Sequence, residues 1–170
     1  MTKLKFTQND FNETEILAES IKRIDQIDSD YVNSISDEIF RCQPFFLTVL
    51  LGHRIDVSME ELEEIMKIYF LVWEFFRLKP KVQTIKVTES NFNKILNRNI
   101  KMLKYSEGES KERDKLEIFA YDLHNLKSKS LMASIFLRFD ERPMLLKMDI
   151  QKKGSIMIGI KSFIECFEKI

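Results

Sequence analysis

Two histidines, His53 and His124, are the chain's only side chains that ordinarily titrate near neutral pH. His53 stands in Gly52-His53-Arg54-Ile55-Asp56, between an apolar run and an acidic one. An imidazole there could exchange a proton, and the neighbouring guanidinium could grip a carboxylate or phosphate through two parallel hydrogen bonds. With Tyr69 and Trp73 as walls and His124 as a further polar contact, His53, Arg54 and Asp56 could line a pocket between helices. That makes a small-molecule binder or enzyme the alternative reading of the chain.

Catalysis itself finds little support. Zinc and di-iron sites gather two or three histidines with carboxylates, and no H-E-x-x-H occurs. Tyr121-Asp122-Leu123-His124 lacks the Glu three places before the histidine, and Asp122 and His124 point about 200° apart on a helix. There is no G-x-S-x-G elbow and no glycine-rich phosphate loop. The sequence therefore predicts no metal and no cofactor, and leans away from an enzyme.

A third chemistry is charge alone. Lys94, Arg98 and Lys101 fall on one helical stripe with Lys104 beside them, a pattern that suits nucleic acid or an acidic protein surface. Nucleic acid is the weaker reading. The whole chain carries 27 basic and 27 acidic residues, and no stacking aromatics interleave the stripe. The balance hides an asymmetry: residues 1–85 carry 10 basic and 15 acidic residues, net −5, and residues 86–170 carry net +5. Glu60, Glu61, Glu63 and Glu64 are explained by helix-start physics, since acids in a first turn favour the dipole. Cys42 and Cys166 match no metal or redox spacing and read as buried, reduced thiols.

The elements that must hold these residues are helices. Only four glycines and three prolines occur in 170 residues, too few to turn an all-β chain. The expectation is an all-α bundle of five to seven helices in a single domain over residues 12–170, with 1–11 a flexible end. Its centre should be an apolar helix over residues 58–78. Ser58 and Glu61 have capping-box spacing, so Gly52–Val57 reads as a helix connection, with Gly52 as a left-handed terminator. Asn12 is the expected cap of the first helix, "DSDYVNSIS" a break before a short helix at 36–41, and Pro44 a helix start or kink. "KPKVQTIKV" reads as an extended connector, followed by a helix to Tyr105 with Leu103 inward. "SEGESKERD" reads as a loop before a helix over 110–126. Residues 144–161 fit either a β-hairpin or two helices. Pro143 and Asp149, as a helix start and a cap, favour helices.

The start of the chain has no apolar core of a signal peptide, and the longest unbroken apolar run, Ile68–Trp73, falls far short of the ~18 residues a membrane span needs. The expected setting is cytoplasmic, with no membrane. The leading functional expectation is a non-enzymatic interaction or regulatory module. It would be a homodimer or bind another protein through surplus apolar surface on residues 65–76 and 156–167.

Overall fold

Capping chemistry decides where most helices begin. A computed structural model describes residues 7–108, 123 and 125–170. Among these it forms nine α-helices: α1 (Gln8–Asp25), α2 (Ser29–Cys42), α3 (Pro44–Gly52), α4 (Met59–Phe76), α5 (Pro80–Thr84), α6 (Glu89–Gly108), α7 (Lys129–Glu141), α8 (Pro143–Leu146) and α9 (Ile150–Lys169). No described residue lies in a strand. Seven of the helices have nine or more residues, and the other two are short segments started by Pro80 and Pro143. The expected loop at 106–114 is helical to Gly108, and its remainder and most of the expected 110–126 helix lie outside the described residues.

The Ser58 capping box is present. Its hydroxyl accepts the Glu61 amide at 3.1 Å, and the Glu61 carboxylate accepts the Ser58 amide at 2.9 Å. A second box, Thr7 with Asp10, starts α1 at Gln8 instead of after Asn12, so residues 8–11 are helical rather than loose. Asp28 caps α2 by accepting the Tyr31 amide at 2.8 Å. "DSDYVNSIS" is thus mostly helix: its polar residues cap and face outward, while Ile35, Ile39 and Cys42 of the same helix turn inward. Asp149 caps α9 through the amides of Gln151 and Lys152, which makes residues 150–161 helical and removes the hairpin. "KPKVQTIKV" contains the short helix α5 before it extends.

Gly52 is not a left-handed terminator. It has φ −62° and ψ −29°, and α3 tightens directly into a 3-10 turn over His53–Ile55. Pro44 takes the first-turn role at α3. No close helix approach accounts for Gly154 and Gly159, since a Cβ at either would meet nothing within 4 Å.

The core forms around α4, whose residues Ile68–Phe76 are buried without interruption because other helices cover it on several sides. It packs against α1, α3, α7, α8 and α9, while α9 lies mainly along α6. Aromatic rings join these elements. Phe163 stacks on Phe92 at 4.2 Å between centroids and meets Phe46 edge-on at 4.8 Å. Phe167 reaches Phe76 at 5.3 Å, which brings the C-terminal ends of α4 and α9 together. The apolar surplus on residues 65–76 and 156–167 is therefore spent inside one core, and the homodimer reading loses the surface it rested on. Leu103, expected inward, is exposed on α6. Among the described residues no helix is long and apolar enough to cross a membrane.

Candidate functional site

Of the residues expected around His53, the structure brings Tyr69 into contact with it. His53 Nε2 lies 2.9 Å from the hydroxyl of Tyr69, which is wholly buried on α4. Arg54 and Asp56 are exposed on the turn. Trp73 is committed elsewhere, donating its indole N–H to Glu38 of α2 at 3.1 Å. His124 lies outside the described residues.

The His53–Tyr69 pair is instead a strut between the turn and α4. In the neutral tautomer protonated at Nδ1, the imidazole accepts the Tyr69 hydroxyl at Nε2. Burial pushes the His53 pKa below its ordinary 6.5, and Asp56 only partly opposes that. A folded-state pKa below the unfolded one means that unfolded chains bind more protons between the two values. The contribution is complete above pH 6.5 and is lost as pH falls through the lowered pKa. Unfolding free energy measured against pH should fall in that window for the native chain. In His53→Gln, which keeps an acceptor but does not titrate, that part of the slope should vanish. An unchanged slope in the variant would assign the pH dependence to other groups.

Polar side chains missed by the sequence reading hold the helices in place. Gln43, buried between α2 and α3, donates to the carbonyls of Val82 and Ile85 at 2.6 and 2.7 Å and accepts the Val87 amide at 2.9 Å. Glu74, buried on α4, accepts from Arg23 at 2.7 Å, Tyr31 at 2.8 Å and Arg77 at 3.1 Å. Asn99 of α6 donates to Ser162 and Glu165 of α9 at 3.0 and 2.7 Å and accepts from Lys161 at 3.0 Å.

The Gln43 and Asn99 contacts frame a cleft of about 590 Å³, bounded by residues 85–87, the first half of α6 and the end of α9. Its lining combines the apolar Ile85, Val87, Ile95, Cys166 and Ile170 with Asn91 and four cations. Those are Lys86, Lys94, Arg98 and Lys169, all exposed, and no acidic side chain lines the cleft. Lys94 and Arg98 come from the basic stripe, whereas Lys101 and Lys104 lie farther along α6 and face solvent. Lys86 and Lys169 had no local signal, because a connector and a distant helix bring them in.

Arg98 is oriented from below by Glu165, with which it makes an ion pair. Burial opposes ionisation of Glu165, but the Asn99 hydrogen bond, Lys161 and Arg98 outweigh it and hold the carboxyl below its usual range. The Cys166 thiol is pushed up to about 11 by burial, with Glu165 adding to the effect, so it stays protonated at neutral pH. No histidine, aspartate or glutamate side chain is in the lining. Among the described residues no group of three or more histidine, cysteine, aspartate or glutamate side chains converges as a metal site.

Comparison with known proteins gives no match: no family model fits the chain, and no curated protein or solved structure resembles it at a significant level.

Proposed function

We propose that the protein is a non-catalytic interaction module that receives an acidic, partly apolar protein segment in the cleft between α6 and α9. The observation that carries this reading is the lining itself: four cations above an aliphatic floor, of which Arg98 is paired with Glu165 while Lys86, Lys94 and Lys169 face no acidic side chain in the lining. An apolar anchor would leave water on that floor while flanking carboxylates meet the lysines. Nucleic acid fits less well, because the floor offers no aromatic face for a base to stack on.

The test is fluorescence anisotropy with a labelled peptide carrying Asp and Glu around a single Leu. Binding should weaken as salt rises, and Lys94→Glu/Lys169→Glu should lower affinity by about tenfold or more, roughly 1.4 kcal/mol. A neutral peptide binding equally well, or an unchanged affinity in the double variant, overturns the proposal. Tighter binding of single-stranded DNA in the same cleft would transfer it to the nucleic-acid reading.

A further inference from the structure

We infer that the acidic segment is supplied by a second copy of this chain, at the turn between α3 and α4. The inference rests on the cleft reading above.

That turn is the molecule's other conspicuous surface. Ile55 and Met59 are 82% and 74% exposed, and Leu51 beside them is 53% exposed. Asp56 and Glu60 flank them, also exposed, and neither makes an ion pair among the described residues. The turn thus presents apolar side chains beside the carboxylates of Asp56 and Glu60, with Arg54 also exposed among them, against a cleft with an apolar floor and a rim of cations. The same opposition runs through the whole chain, net −5 over residues 1–85 and net +5 over the rest.

The turn cannot reach its own cleft. The cleft adjoins the C-terminal ends of α4 and α9, where Phe76 meets Phe167 and where Cys166 and Lys169 line it. No residue of the turn lines the cleft, and the nine residues of α3 separate the turn from Gln43, whose side chain holds residues 82–87 at the cleft's edge. Two different surfaces of one molecule make a heterologous, head-to-tail contact, which produces a ring if its rotation closes and a chain if it does not.

Light scattering of the full chain over a concentration series tests this, using the native protein, Asp56→Lys/Glu60→Lys and Lys94→Glu/Lys169→Glu. The native mass should climb above that of the monomer with concentration and return to it in high salt. Each double variant alone should stay monomeric, with circular dichroism showing that it is folded. An equimolar mixture of the two should assemble, because the reversed turn meets the reversed cleft and the two native surfaces meet each other. A native chain that is monomeric throughout overturns the inference, as does assembly that survives either double variant or a mixture that stays monomeric. If the monomer still binds the acidic peptide in a salt-dependent way, only the second copy is excluded. If it does not, the cleft reading falls as well.

Discussion

Replacing Gln43 by Leu is expected to lower unfolding free energy by about 3–5 kcal/mol, because leucine fills the space but bonds to nothing. The Gln43 amide satisfies the buried Val82 carbonyl and Val87 amide hydrogen and the part-buried Ile85 carbonyl, in a stretch that has neither a long helix nor a sheet to do so. Each group orphaned away from water costs about 1–3 kcal/mol. Gln43→Glu sharpens the test. One carboxylate oxygen can still accept the Val87 amide, but the other would face two carbonyl oxygens unless it were protonated. Its folded-state pKa would rise above the unfolded one, so the folded chain binds more protons between the two values and stability falls as pH rises through that window. Denaturant titrations should therefore show Gln43→Glu closest to the native protein in acid and furthest from it at neutral pH. A native-like Gln43→Leu would mean that water satisfies these groups instead.

Glu74→Ala should cost about 3 kcal/mol, the lower end of the range for breaking a buried ion pair. Its carboxylate is 2% exposed and ties α4 to α1 through Arg23 and to α2 through Tyr31. Arg77 extends the connection, pairing with both Glu74 and Glu38, and Glu38 in turn accepts the Trp73 indole N–H. Burial first, and then the bond to Glu74, push the Tyr31 pKa upward, so its hydroxyl remains a donor at any ordinary pH. The cost is limited because the Arg23 side chain is 51% exposed and can turn to water once released. The cavity and the stranded Tyr31 hydroxyl account for most of the loss. In a double-mutant cycle with Arg23→Ala, the two changes together should cost less than their sum by at least about 0.5 kcal/mol. Strict additivity would show that the contact contributes nothing of its own.

How much was legible in the sequence follows from the range of each interaction. The all-α architecture, the central α4 and the Ser58 start rest on periodicity and on contacts three or four residues apart, and they could be read directly. Thr7 and Asp28 use the same capping physics. Each lies in a run of polar residues, and such a run reads equally well as a loose end or a helix break. Gly52 was misread in the opposite sense: glycine permits a left-handed terminator but does not require one. Gln43, Glu74 and Asn99 find the partners that tie them to other helices and to the connector 39 to 66 positions away, and nothing local marks those contacts. The cleft was half legible. Lys94 and Arg98 formed a stripe, but only the packing of α9 on α6 adds Lys169 and an apolar floor. At His53 the sequence placed Tyr69 nearby, but not the direct hydrogen bond that joins the two side chains.

The order of the helices along the chain sets a problem for synthesis. The apolar residues of α4 are complete at Phe76, yet Phe163 and Phe167, which close over this core, follow about 90 residues later. At ribosomal speeds of about 5–20 residues per second, that surface waits roughly 5–20 s for its cover. During that interval the nascent chain carries the stickiest part of the molecule unshielded. The first helices to pack against it, α1 to α3, or a chaperone, must occupy it until α9 emerges.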